Sequence, residues 1–276
     1  MILNHDSALP VLLESAPSLA AYLGVKKVTL VREDLLDGVG GKKRRSLNNI
    51  VNEIPLGKNI HILSYQGSHT ALTLSDLLPD HSIILYGKSY PGGGYRDFMT
   101  QLLSERPNVS QFTGSLLPLL IKYIMAKFQY PHDWFMNFGG AVGHDEMYIS
   151  AAEKAYQKIG NSAHHIVPVA SGDLLKALKT IFSQVTGILT QPWYIRIVQR
   201  FRLPSSRGMV GRSYSERESL VRDIYLKTGF AFDPVFMGSV LEYCMRKTPH
   251  FEHICLWVTC PGTVSDFLLS FDDHNG

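Results

Sequence analysis

Cysteine is scarce in this sequence, which has three in 276 residues: Cys244, Cys255 and Cys260. They form no CxxC pair, so we expect no disulfide framework and a reducing, cytoplasmic setting. Charge of one sign is also lacking, because 27 basic residues stand against 24 acidic residues for a net charge of +3. A balance this close to neutral gives no reason to expect nucleic acid as a partner.

Long hydrophobic runs and targeting signals are missing as well. The longest apolar stretch, residues 116–125, is interrupted by Lys122 and is too short to span a bilayer. The first residues have no basic region ahead of an apolar run, so no signal peptide is expected. The 11 histidines form no HxH or HExxH pattern, so we expect no metal centre. We therefore expect a soluble intracellular protein without a membrane partner.

Short apolar runs alternate with longer segments of helical periodicity. This alternation predicts an α/β fold with open, largely parallel twisted sheets flanked by helices. Two of the runs, HIVPV and ICLWVTC, are apolar throughout, which is typical of strands covered on both faces. The predicted strands are 27–31, 60–65, 82–86, 134–138, 165–169, 188–190 and 254–259. The predicted helices are 8–22, 43–51, 68–78, 95–103, 115–128, 145–159, 172–182, 215–228 and 235–245.

The segment GVGGKKRRSL, residues 38–47, follows a predicted strand and opens a predicted helix. Its lysines lie in the first helical turn, where the positive end of the helix dipole disfavours a cation. A lysine whose pKa is depressed is tolerated there, and a neutral amine is what Schiff-base chemistry requires. The alternative is a solvated basic face or a short nucleic-acid or localisation patch.

Two other strand-to-helix junctions collect polar groups, SYQGSHT at 64–70 and VASGDL at 169–174. Ligands of α/β proteins gather beyond the carboxyl ends of parallel strands, and the backbone N–H groups of a helix start can bind an anion. The alternative for both junctions is ordinary helix capping, by Ser68 and by Ser171 or Asp173. The segments 233–240 and 259–263 have equally plain interpretations as a turn and a cap.

Taken in order, these segments resemble the pyridoxal-phosphate (PLP) enzyme family of 1-aminocyclopropane-1-carboxylate deaminase and D-cysteine desulfhydrase. That family has the tryptophan synthase β-like fold. GGKKRRSL is similar to its motif GGNKxRKL, QGSHTA to QSNHTR, VASGDL to a longer ATGSGGT loop, DPVFMGS to DPVYxGK, and TCPG to HTGG. The likeness covers roughly residues 27–267 with deletions.

The resemblance implies a role for individual residues. Lys43 is the Schiff-base lysine, and Ser68 and His69 join it as catalytic residues. The implied cofactor-binding residues are Lys43, Ser68, Ser171, Gly172, Asp173 and Cys260. The implied substrate-binding residues are Gln66, Ser68, His69 and Phe236. The resemblance thus predicts a PLP-dependent deaminase or lyase that acts on a small amino acid, and a homodimer.

Several positions depart from the family pattern. The catalytic serine is Gly67, the neighbouring asparagine is Ser68, and the active-site tyrosine is Phe236. Met237 stands at the position that can engage the pyridine nitrogen in the deaminase, and Cys260 replaces the threonine of HTGG. The phosphate loop contains an additional carboxylate, Asp173. Losing a hydroxyl acid–base group commonly costs on the order of 10²–10⁴ in rate. The alternative is therefore a catalytically degenerate protein of this fold with a binding or regulatory role.

The same likeness predicts two domains. The larger, PLP-binding domain is built from residues 1–57 and 144–276, and a smaller α/β domain is inserted at 58–143. An unrelated α/β module that binds nucleic acid through the basic segment is a third hypothesis.

Overall fold

The computed structural model describes residues 9–48, 50–89, 94–136, 146–190, 206–208, 213–247 and 251–270. The strands are β1 (Leu13–Ser15), β2 (Lys27–Arg32), β3 (Ile60–Tyr65), β4 (Ile83–Lys88), β5 (Val109–Gly114), β6 (Trp134–Met136), β7 (His164–Val169), β8 (Val185–Leu189), β9 (Ser206–Gly208) and β10 (His253–Val258). The helices are α1 (Pro17–Leu23), α2 (Gly41–Leu47), α3 (His69–Leu77), α4 (Tyr95–Ser104), α5 (Leu116–Gln129), α6 (Glu146–Ile159), α7 (Asp173–Ile181), α8 (Tyr214–Thr228), α9 (Met237–Lys247) and α10 (Val264–Leu269). Short 3₁₀ helices cover Glu33–Leu35 and Ile50–Glu53.

The chain divides into two compact units. Unit 1 comprises the described residues of 1–36, 40–45 and 144–276, and unit 2 those of 37–39 and 46–143. Residues 46–57, which the sequence analysis assigns to the larger domain, lie in unit 2. The helix that carries the basic segment is therefore shared, with its first residues in unit 1.

Unit 1 is built on a six-stranded sheet of order β1-β2-β10-β7-β8-β9, in which β1 alone runs antiparallel to its neighbour. The two central strands β10 and β7 are the continuous apolar runs of the sequence, and both are almost wholly buried. Trp257 of β10 donates from its indole Nε1 to Nδ1 of His165 at 3.2 Å. Burial, with His164 and His253 nearby, lowers the pKa of His165 to about 3, so this imidazole is a neutral core residue.

Unit 2 is built on a four-stranded parallel sheet of order β5-β4-β3-β6. His61 of β3 lies at its centre, 3.1 Å from both the Tyr86 hydroxyl and the Asp133 carboxylate, and it stacks on Phe135. Asp133 also accepts a hydrogen bond from the Asn59 amide at 2.9 Å. This buried polar network is satisfied from each side, so it holds the strands together rather than marking a site.

The α/β class and the two largely parallel sheets flanked by helices are confirmed. The predicted helix at 8–22 is wrong over its first half, because residues 13–15 pair antiparallel with β2 as strand β1. Pro10 and Pro17 explain the difference, since a proline inside a helix removes a hydrogen bond and clashes with the preceding turn. Strands β5 and β9 and helix α10 lie outside the predicted elements. No helix in the described ranges has the length and apolarity needed to cross a bilayer.

Candidate active site

Helix α2 carries the two lysines and begins against the loop that follows β10. Gly41 has a φ of +77°, and a Cβ there would lie 2.9 Å from the carbonyl oxygen of Cys260. Only glycine permits this approach without displacing backbone. The backbone of Lys42 is held on both sides, because its N–H donates to Thr259 and its carbonyl accepts from the Tyr148 hydroxyl at 3.2 Å. The glycines of the sequence motif therefore fix where the lysines start.

The amine of Lys43 in unit 1 has a strongly shifted pKa. Burial, aided by the neighbouring Lys42, lowers the pKa of Lys43 to about 7, and Asp173 opposes the shift. Burial also lowers the pKa of Lys42, although the carboxylates of Asp173 and Asp233 each act to raise it. Both residues keep some accessible surface as whole residues, while their amines are desolvated. A substantial fraction of Lys43 is consequently neutral, and nucleophilic, near neutral pH.

The junction between β7 and α7 contributes Asp173. Gly172 precedes the helix with a φ of +98°, Ser171 is exposed, and Asp173 lies in the first turn of α7. A carboxylate at a helix N-terminus is stabilised by the dipole. Since Asp173 raises the pKa of both lysines, the structure brings this junction near α2.

Asp233 and Cys260 complete the surroundings of the two lysines in unit 1. The buried Asp233 carboxylate accepts the backbone N–H groups of Phe236 at 2.6 Å and Met237 at 3.2 Å, so it caps the start of α9. This is the turn-and-cap interpretation of that segment. Phe236 itself is partly exposed. Burial, with Asp233 and Asp34 nearby, raises the pKa of Cys260 well above its usual range, so its thiol stays protonated.

The basic segment is more buried than a solvated cationic face would be. Arg45 is fully buried and pairs with the buried carboxylate of Glu33, while the amines of Lys42 and Lys43 are desolvated. Nucleic-acid patches keep their lysines and arginines in solvent, where they can reach phosphates. The burial of this segment disfavours the alternative of a basic nucleic-acid or localisation patch, which stays a prediction.

Unit 2 holds the second group of predicted site residues, at the junction of β3 and α3. Ser68 caps α3 through a bond from the Ala71 N–H at 3.4 Å and donates to Ser64 at 3.3 Å. His69 Nε2 lies 2.9 Å from the hydroxyl of Tyr95. The carbonyl of Gln66 accepts from the Arg96 guanidinium at 3.3 Å.

Tyr95 is a residue that the sequence analysis missed as a site candidate. It is buried at the start of α4, and its ring meets the His69 ring edge to face. Its one signal in the sequence was a position directly after a glycine run, which places it at a helix start but says nothing about His69.

Gly67 is structurally required in unit 2. Its φ is +66°, and a Cβ would lie 2.9 Å from the Met99 side chain and 3.0 Å from the Arg96 carbonyl. A serine at this position, as in the family motif, would strain the backbone and collide with α4. The loss of that hydroxyl is thus built into the local structure.

Each group of predicted residues is assembled inside its own unit. Unit 1 brings together Lys43, Asp173 and the Cys260 loop, and unit 2 brings together Ser68, His69 and the added Tyr95. The catalytic and binding roles of all these residues stay predictions. No group of three or more metal-ligating side chains occurs in the described ranges.

Comparison with known proteins places the fold but not the family. No protein-family model and no curated protein matches the sequence. Among solved structures, an ACC deaminase homologue superimposes with a TM-score of 0.70 at 18% identity, over 94% of this chain and 93% of that one. A hydrogen sulfide-producing enzyme from Fusobacterium nucleatum gives 0.67 at 10% identity, over 95% and 99%. The processed form of threonine deaminase isoform 2 from Solanum lycopersicum gives 0.60 at 11% identity, over 94% and 83%.

The chain has the tryptophan synthase β-like fold. This confirms the fold that the resemblance implied. At these identities the comparisons carry the fold alone, so cofactor, substrate and site roles require an argument from the residues.

Proposed function

We propose that the protein is a PLP-dependent enzyme acting on a small amino acid, deaminase- or lyase-like, with Lys43 as the amine that attaches the cofactor. The observation that carries the proposal is the desolvated Lys43 amine with a pKa of about 7. An ordinary surface lysine is almost wholly protonated at neutral pH and attacks aldehydes slowly. A lysine tuned in this way matches what carbonyl chemistry demands of a nucleophile.

Residues of unit 1 could bind the phosphate of the cofactor, although one carboxylate nearby would repel it. Ser171 and Gly172 precede the nine-residue helix α7, whose first N–H groups have no partner within the helix and suit a phosphate. The Asp173 carboxylate opposes a phosphate there. Lys42 offsets this charge, since Asp173 lies near enough to raise the pKa of the Lys42 amine. Lys43, Ser171, Gly172 and Lys42 are therefore the residues that would hold the cofactor.

When bound, PLP supplies an electron sink that stabilises negative charge at the α-carbon of an amino acid. The Nζ of Lys43 would be the base that takes the α-proton of the substrate. The protonated Cys260 thiol can donate a hydrogen bond but cannot supply a counter-charge to the cofactor ring. The resemblance assigns Gln66, Ser68, His69 and Phe236 to the substrate.

A spectral titration tests the proposal. Adding PLP to the purified protein should produce a visible absorption band that Lys43→Ala abolishes. Lys26→Ala is the control, because it removes an exposed lysine of unit 1 that lies outside the candidate site, and it should retain the band. A wild-type protein that stays colourless with excess PLP would contradict the proposal.

A second candidate, a protein of this fold that binds PLP without turnover, is favoured by Gly67. The contacts at this position prevent a simple return of the family's serine hydroxyl, and Phe236 lacks a hydroxyl as well. Assay of the PLP-loaded protein for ammonia and oxo-acid release from a panel of small L- and D-amino acids separates the two. Turnover supports the enzyme, and a coloured protein with no product supports the binding protein.

A further inference from the structure

Helix α5 in unit 2 has two apolar faces. One face packs on the sheet through Leu119 and Ala126, which are buried. The other face carries large apolar side chains that are 45–83% exposed. We call these five residues the outer α5 stripe: Leu117, Ile121, Ile124, Met125 and Phe128. Contiguous apolar surface of this kind on a folded chain marks a site of interaction.

The spacing of the outer α5 stripe specifies a helical partner. Leu117, Ile121, Ile124 and Phe128 follow one another in steps of four, three and four residues. Those steps are the heptad seam of a coiled coil, in which side chains of one helix insert between those of another. Scattered surface hydrophobics have no such register. The face is therefore shaped for a second helix.

Both lysines of α5 turn away from this face. The Lys122 ammonium lies 5.0 Å from the centre of the Phe112 ring on β5, and that of Lys127 lies 6.0 Å from the Phe135 ring on β6. Cation–π contacts of this kind hold each charge beside the sheet. The stripe itself contains no charged residue, which disfavours an acidic peptide or an anionic membrane as its occupant.

The stripe is complementary to itself when reversed. A two-fold axis between positions 122 and 123 places position 117 opposite position 128 and position 121 opposite position 124. Large Phe128 then meets the smaller Leu117, and Ile121 meets Ile124. We propose that a second copy of this chain docks on the outer α5 stripe, with the two α5 helices antiparallel.

The charges favour the antiparallel orientation. Reversal puts the two copies of Lys127 at opposite ends of the helix pair. A parallel pairing in register would bring them to the same level, where like charges repel. Each Lys127 instead lies at the level of Pro118 in the other copy.

The available area is sufficient for such a contact. From their exposures, the five side chains offer the surface of about three fully exposed large apolar residues. At roughly 150–250 Å² each, this is on the order of 500 Å² per copy and 1,000 Å² for two, the size at which interfaces become specific. Leu116 and Tyr130, both partly exposed near the helix ends, can add to it.

Light scattering coupled to size exclusion, at micromolar concentrations, tests the proposal. The wild-type chain should elute as a dimer and Leu117→Glu as a monomer. Leu226→Glu is the matched control, because Leu226 is 63% exposed against 67% for Leu117 and lies outside the stripe on α8. It should remain dimeric. A wild-type monomer, or dimers unaffected by Leu117→Glu, would overturn the proposal.

Cysteine cross-linking tests the orientation in a chain whose three native cysteines are all buried. The double variant Leu117→Cys/Phe128→Cys should form an intermolecular disulfide on mild oxidation, whereas either single variant should not. Cross-linking of the single variants would indicate a parallel pair and overturn the antiparallel assignment. Sedimentation of a monomeric wild-type chain with phosphatidylserine vesicles would assign the stripe to a membrane surface instead.

Discussion

Arg45 and Glu33 form a buried bidentate ion pair, with Nε and Nη2 of the arginine each 2.9 Å from a different carboxylate oxygen. The remaining guanidinium donors reach the carbonyls of Leu9 at 3.0 Å and Pro10 at 2.8 Å. Arg45 follows Lys43 by two positions on α2. The pair therefore anchors the helix that presents the candidate nucleophile.

Replacing Arg45 with methionine should destabilise the protein severely, because Glu33 would remain buried without its cation. Breaking a buried pair from one side costs about 3–5 kcal/mol, and the free energy of unfolding from urea titration measures it. Lys26→Met is the control, since its pair with Glu252 is exposed on both sides and its loss should not change stability measurably. Equal effects of the two variants would contradict the role assigned to Arg45.

The pKa of Lys43, about 7, predicts that the rate of aldehyde attachment rises with pH with a midpoint near 7, because only the neutral amine attacks. Lys42→Met should raise that midpoint, since the Lys42 ammonium lowers the pKa of Lys43. Asp173→Asn should lower it, since the carboxylate raises the same pKa. Stopped-flow absorbance with PLP at a series of pH values measures all three.

Stability provides an independent check on the same amine. Between pH 7 and the ordinary lysine pKa of 10.5, the unfolded chain binds more protons at Lys43 than the folded chain. The free energy of unfolding should therefore rise with pH across this window, and the rise should shrink in Lys43→Met. A slope identical in the two proteins would contradict a depressed pKa.

Asp173 should weaken the binding of the cofactor phosphate. We expect Asp173→Asn to tighten PLP binding by about tenfold, equivalent to about 1.4 kcal/mol, and to leave binding of pyridoxal, which has no phosphate, nearly unchanged. The titrations are made at pH 9, where Lys43 is neutral in both proteins. A similar gain for pyridoxal would show that Asp173 does not face the phosphate.

The hydrogen bond between Tyr95 and His69 should contribute to the stability of unit 2. Tyr95→Phe removes the buried hydroxyl and leaves the His69 ring without this partner, so we expect a loss of about 1 kcal/mol in the free energy of unfolding. Tyr156→Phe, at an exposed tyrosine of α6, is the control and should have no effect. Indistinguishable variants would remove Tyr95 from the candidate site.

Much of the fold could be predicted from the sequence, because buried parallel strands have an unambiguous signature. β7 and β10 are apolar throughout and were placed within one residue at each end. β1 and β5 were missed because both are sheet-edge strands. β1 has three residues and β5, with the sequence VSQFTG, is mostly solvent-facing, so neither carries a strong hydrophobic period.

The site was predictable where glycines fix the backbone and not where distant side chains meet. The GGKK motif located Lys43, since its glycines are needed for contact with the Cys260 loop. The pairing of His69 with Tyr95 joins positions 26 residues apart, and no local pattern encodes it. The burial of Arg45 was equally hidden, because a run of four basic residues gives no sign of which one is paired.

Reductive trapping tests the central claim most directly. The protein is incubated with PLP, reduced with borohydride, digested and mapped by mass spectrometry, with Lys42 and Lys43 distinguished by fragmentation. The account predicts a single major pyridoxyl adduct on Lys43 that is lost in Lys43→Ala. Labelling of Lys42 alone, or modification spread evenly over exposed lysines, would contradict it.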